Sequence, residues 1–122
     1  MGLFDAVLIK ENHIAAAGGI AAAIAAARIQ APTLLAEVEV ENLGELEQAL
    51  AANVDRIMLD EFSAEDRASA VALAQGRIPL EVSGNVTLDS IGDIARSGVD
   101  FVSVGAITKH IRAIDLSLRI EK

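Results

Sequence analysis

The chain has no cysteine, no tryptophan and no tyrosine, and only three phenylalanines among its 122 residues. Without cysteine there is no disulfide framework, no thiolate zinc site and no thiol nucleophile. With so few rings, a stacking platform for single-stranded nucleic acid has almost nothing to be built from. Positive charge is scarce as well. Ten Lys and Arg stand against eighteen Asp and Glu, a net charge of −8. That balance excludes a broad basic surface for a phosphate backbone. A small anionic ligand then needs a local pocket that overcomes the overall field. Long hydrophobic runs are missing too. The longest uncharged apolar stretch, Ile14–Ala27, is 14 residues of mostly Ala and Gly, whereas a spanning helix needs about 20. The N-terminal Met1-Gly2-Leu3-Phe4-Asp5 shows no basic region and no cleavage pattern. The expectation is a soluble, cytoplasmic chain that binds neither nucleic acid nor membrane.

What is present is a globular composition, 52% hydrophobic and 23% charged. A chain of this length forms one domain and buries roughly two-thirds of its unfolded surface. Five short runs rich in Val, Ile or Leu read as strands: 6–9, 34–40, 56–59, 78–82 and 100–104. Segments of helical length lie between them at 19–29, 43–53, 64–76 and 88–97, and a last helical piece is expected at 112–118. Asn42 with Glu45, Ser63 before Glu65-Asp66, and Thr87 or Asp89 are start signals; Gly76 and Gly98 are stop signals. The alternation predicts a parallel sheet with helical crossovers and no second domain.

Two architectures accommodate five βα units, a doubly wound sheet and part of a (β/α) barrel. Side chains alternate along a strand, so Glu37, Glu39 and Glu41 share one face and Val38 and Val40 the other. Three glutamates on a face covered by helices would each cost several kcal/mol unless paired. The other strands repeat the division. Leu8 and Lys10, Met58 and Asp60, Glu81 and Ser83, Ser103 and Gly105 oppose Val7 and Ile9, Ile57 and Leu59, Leu80 and Val82, Val102 and Val104. An apolar helix side and an inner side that turns polar or small towards the strand ends predict α/β barrel geometry, with the functional groups at those ends. Five strands are too few for a closed barrel. The chain is therefore expected either as the last part of a larger barrel or as one that closes by assembling with another copy, a dimer being the simplest case.

The strand ends carry Lys10-Glu11-Asn12-His13, Glu37 to Asn42, Asp60-Glu61-Phe62, Ser83-Gly84-Asn85 and Gly105-Ala106-Ile107-Thr108-Lys109-His110. Each has a plain structural alternative: a solvated lysine, a loop histidine, an exposed glutamate row, a helix-capping Asp60, ordinary βα turns. Taken together they form a chemistry. Carboxylates on neighbouring strand ends are the hard oxygen donors that magnesium beside a diphosphate needs. Small Gly-containing loops after the last two strands are where barrels hold a phosphate by backbone N–H groups. Cation, carboxylate pair and phosphate cradle suit a phosphorylated sugar. No Ser-His-Asp arrangement is visible.

These motifs, with Gly98-Val99-Asp100 and Asp115-Leu116-Ser117-Leu118, resemble quinolinate phosphoribosyltransferases, in family order and spacing along the whole chain. The resemblance covers the C-terminal part of that family's barrel domain. An N-terminal α/β domain and earlier strands, carrying arginines and a His-Arg pair that grip quinolinate, are expected to lie before Met1. Many members have Asn where this chain has Glu61, and a second Gly at Asn85. The resemblance implies phosphoribosyl transfer from phosphoribosyl pyrophosphate to quinolinate with Mg²⁺, followed by decarboxylation to nicotinate mononucleotide in NAD biosynthesis. It implies that Lys10 meets a substrate carboxylate and that Glu39 and Asp60 hold the ribose hydroxyls and the metal. It further implies that Ser83, Gly84, Asn85 and Gly105 cradle a phosphate, with His13, Lys109 and His110 also at the substrate. The chain alone is expected to be inactive.

Overall fold

The structure, a computed structural model, describes residues 4–121; the Met1–Leu3 stretch of the N-terminal reading lies outside them. Five strands, β1 (Ala6–Ile9), β2 (Leu35–Val40), β3 (Arg56–Asp60), β4 (Leu80–Ser83) and β5 (Phe101–Val102), form one sheet in sequential order, every pair parallel. A doubly wound sheet would reverse its strand order at a switch point. Sequential order with right-handed crossovers places every helix on one side, as in a barrel. The helices are α1 (Glu11–Ala17), α2 (Ile20–Gln30), α3 (Leu43–Ala51), α4 (Ala64–Ala74), α5 (Leu88–Arg96) and the short α6 (Ala106–Lys109).

The core lies between helices and sheet. Val38, Val40, Ile57, Leu59, Leu80 and Val82 pack with Ile20, Ile24, Leu46, Ala49, Ala70, Ala74 and Ile94 in one cluster. Helix α2 packs on β1 and β2 with Ala23 buried against them, a close approach that its small side chains allow and that accounts for the Ala-rich stretch. The caps expected from sequence form. Asn42 accepts from the Glu45 N–H, Ser63 from the Asp66 N–H and Thr87 from the Ser90 N–H. Ser63 therefore takes the capping role that Asp60 was a candidate for. Among the described residues no single helix is long and apolar enough to cross a membrane.

Three expectations are corrected. The Lys10–His13 stretch is not a loop: Lys10 is the N-cap of α1, and the helical 11–30 region breaks at Gly18-Gly19, whose φ angles of 86° and 139° interrupt it. Residues 112–118 are not helical. Their apolar residues Ile114, Leu116 and Leu118 are 81–95% exposed, so no surface among the described residues holds a helix there. The fifth strand is two residues long, not five.

Candidate active site

The inner face divides as the strand alternation requires. The pairings Leu8↔Glu37↔Arg56 and Glu39↔Met58↔Glu81↔Phe101 put these side chains on the side away from the helices. Glu37, Glu39 and Glu81 are buried there, and each needs a partner. Lys10 donates from Nζ to Glu39. That bond chiefly raises the Lys10 pKa against the opposing effect of desolvation, and Glu39, Glu11 and Asp60 add through their charges. Arg56 Nη1 lies 3.1 Å from Glu81 Oε2 and 3.8 Å from Glu37 Oε2, with its guanidinium 4.1 Å from the Phe101 ring centroid. Glu37 Oε1 has no hydrogen-bond partner. Burial first, and then the neighbouring Glu81 charge, push the Glu37 carboxyl up to about 7 against the pull of Arg56. Glu41, grouped with these glutamates by alternation, falls beyond the end of β2 and is exposed.

At the strand ends a cleft of about 1000 Å³ gathers most of the candidate residues. Asp60, Ser83, Gly84, Asn85, Gly105, Lys109 and His110 all line it. Gly84 holds φ 88° where the backbones of β3 and β4 turn outward. A Cβ there would lie 2.8 Å from Glu61 Cγ and 3.2 Å from Glu61 N, so only glycine fits. The Lys109 side chain folds back towards Gly105, and a Cβ on that glycine would stand 3.7 Å from Nζ. The cleft therefore offers a carboxylate on one side and small residues, a hydroxyl and an ammonium on the other. Lys10 and Glu39 stand on the neighbouring strand ends, outside this lining. His13 is outside the lining as well: its Nδ1 accepts the Lys10 backbone N–H at 2.9 Å, a helix-capping role.

Among the described residues no three His, Asp or Glu side chains converge as a metal-holding group. The donor set is two carboxylates, Glu39 and Asp60, both within the field of Lys10. Two hard oxygen donors suffice for magnesium when phosphate oxygens and waters complete its shell. Arg56 is not legible as a site residue from sequence, because it opens an apolar run and resembles a strand edge. Nor is the partnership of Glu61 with Asn85, since nothing in a sequence pairs two loops 24 positions apart.

A family model described as "Quinolinate phosphoribosyl transferase, C-terminal domain" matches residues 1–119. The probable nicotinate-nucleotide pyrophosphorylase [carboxylating] of Synechocystis sp. is 45% identical over 98% of this chain and 42% of its own length. The nicotinate-nucleotide pyrophosphorylase [carboxylating] of Mycobacterium leprae is 40% identical over 97% and 43%. The solved nicotinate-nucleotide pyrophosphorylase from Francisella tularensis superposes with a TM-score of 0.88 at 61% identity, covering 95% of this chain and 41% of that one. The chain thus spans about two-fifths of the length of the relatives it matches.

Proposed function

The chain belongs to the quinolinate phosphoribosyltransferase family, matching its C-terminal domain, and on that premise we propose that it supplies the phosphoribosyl pyrophosphate end of an active site making nicotinate mononucleotide for NAD biosynthesis. The observation that carries this reading is the cleft in which Asp60 faces the Ser83-Gly84-Asn85 and Gly105 loops with Lys109 folded over the rim. In the reaction the quinolinate nitrogen bonds to the anomeric carbon as the bond to diphosphate breaks. The adduct then loses a carboxyl as CO₂, and a proton takes its place on the ring. The Ser83, Gly84, Asn85 and Gly105 loops hold the 5-phosphate, with Lys109 and His110 beside it. Glu39 and Asp60 accept from the ribose hydroxyls, and their charges favour the positive charge that develops on the sugar. Lys10, already turned inward by Glu39, meets a carboxylate of quinolinate. Glu39 and Asp60 would also hold Mg²⁺, which when bound neutralises the departing diphosphate.

The same reading includes a cytoplasmic homodimer in which further chain supplies the arginines that clamp a dicarboxylate, since a lone lysine cannot give their bidentate bonds. The 122 residues alone then bind phosphoribosyl pyrophosphate without turnover. Calorimetric titration with Mg²⁺ and phosphoribosyl pyrophosphate tests this. Binding by the chain that weakens at least about tenfold, ~1.4 kcal/mol, in Asp60→Asn is expected. Equal binding by both would remove Asp60 from the site, and no binding by the chain itself would overturn the reading.

A further inference from the structure

Ser103 lines the same cleft as Asp60 and Ser83, but its hydroxyl is already committed. Its Oγ donates to Glu81 Oε1. The other oxygen of Glu81 accepts from Arg56 Nη1 at 3.1 Å, and Arg56 rests on the Phe101 ring. Glu81 is buried, with 7% of its surface exposed, so it is held on both sides. A serine hydroxyl carries one proton and two lone pairs. With its proton spent on a buried carboxylate, Ser103 has only acceptors left for the cleft. Ser83 differs: among the described residues its hydroxyl has no protein partner and is free to donate. The cleft is therefore polarised. Ser103 and Asp60 accept, while the Ser83 hydroxyl and the Lys109 ammonium donate.

The geometry points to Glu81 as a positioning residue that fixes Ser103 as a hydrogen-bond acceptor, so that this part of the cleft takes a sugar hydroxyl and refuses a phosphate. A phosphate monoester dianion has no proton to give, and an acceptor facing it is left unpaired and desolvated, which costs more than a missing contact. A ribose hydroxyl can give its proton there. This orients a sugar phosphate with its phosphate on the loop side. It rests on the functional reading above, which already places the phosphate there, and adds the residue pair, Glu81 and Ser103, that enforces that direction.

The test compares ribose 5-phosphate with methyl phosphate at pH 8, where both are dianions, by calorimetry on the 122-residue chain. Ser103→Ala should weaken ribose 5-phosphate about tenfold, the loss of roughly one hydrogen bond, and leave methyl phosphate within about twofold. Ser103→Thr, which keeps the hydroxyl, should restore the preference. Glu81→Ala should free the Ser103 proton, strengthen methyl phosphate and collapse the ratio, but change nothing further when added to Ser103→Ala. If Ser103→Ala weakens both ligands equally, Ser103 donates to phosphate and the inference falls. A cycle of urea midpoints over the same two alanine substitutions reads the hydrogen bond without any ligand. Additive losses would show it absent and overturn the inference by itself. A wild-type chain that binds neither ligand would overturn the functional reading and the inference together, and coupled midpoints would then show that the ligand, not the hydrogen bond, was wrong. If Glu81→Ala does not fold, the Ser103 pair decides the question on the ligand ratio alone.

Discussion

Asn85 Nδ2 donates to Glu61 Oε1 at 3.0 Å, joining the loop after β3 to the loop after β4. Both residues hold left-handed backbone, φ 54° at Glu61 and 48° at Asn85, and Gly84 between the loops is at 88°. In the fold these two positions are one contact. The bond ties down the wall of the cleft next to Asp60 and offsets the cost, about 1–2 kcal/mol, of a side-chain-bearing residue in that conformation.

Gly84→Ala should therefore lower stability by about 2–3 kcal/mol. Left-handed strain accounts for about 1–2 of this, and overlap with the Glu61 side chain for the rest. Adding Glu61→Ala removes the overlap with Cγ but neither the strain nor the 3.2 Å approach to the backbone nitrogen. Urea midpoints of the single and double variants should show partial recovery. A Gly84→Ala chain as stable as the wild type would mean that the loops are not held as described.

Val38 and Glu37 are adjacent and face opposite ways. Val38 is fully buried in the core cluster, where an unpaired carboxylate costs several kcal/mol. Glu37 sits on the inner face beside Arg56 and crowded by Glu81. Val38→Asp should unfold the chain or cost more than about 3 kcal/mol, while Glu37→Ala at about pH 7.5, where the wild-type carboxyl is largely charged and its removal relieves like charge, should stay within about 1 kcal/mol. Chemical denaturation of both variants settles it. Similar losses would mean that the two faces are not divided as seen here.

How much of this is legible in the sequence depends on range. Strand positions, caps and the division into faces follow from periodicity and from residues within a few positions of each other. The Val38/Glu39 alternation and the Asn42, Ser63 and Thr87 caps are of this kind. Helix α1 was hidden because its first turn holds the chemically suggestive Lys10-Glu11-Asn12-His13, and its capping bond, Lys10 N–H to His13 Nδ1, is not a common signal. The 111–121 segment has apolar residues without a surface to bury them among the described residues, so propensity alone misleads there. Of the site, the grouping at strand ends was legible because parallel strands bring their C-terminal ends together. The Arg56–Glu81–Ser103 chain was not, because it joins β3, β4 and the residue just past β5 through register that only the sheet defines.

Glu37 makes stability depend on pH in a direction unusual for a glutamate. Its carboxyl stands at about 7 in the fold against an ordinary 4.5, through burial and then the Glu81 charge, with Arg56 pulling the other way. The folded chain thus keeps a proton that the unfolded chain releases between those values. Its contribution is complete below about pH 4.5 and is lost as pH rises through about 7. Solvent reaching the open inner face screens the effect, which leaves on the order of 1–2 kcal/mol. Asp55 works oppositely. The Ala36 N–H, more than Arg28, holds its pKa below the ordinary 3.8 against desolvation, so its contribution is lost only at lower pH. General repulsion from the net charge of −8 also grows with pH, but a Glu37→Gln chain retains nearly all of it. Urea unfolding at pH 5 and pH 7.5 should show the wild type losing stability between the two, and Glu37→Gln losing clearly less. Equal slopes in the two chains would mean that Glu37 is ionised at both pH values and that Arg56, not burial, governs it.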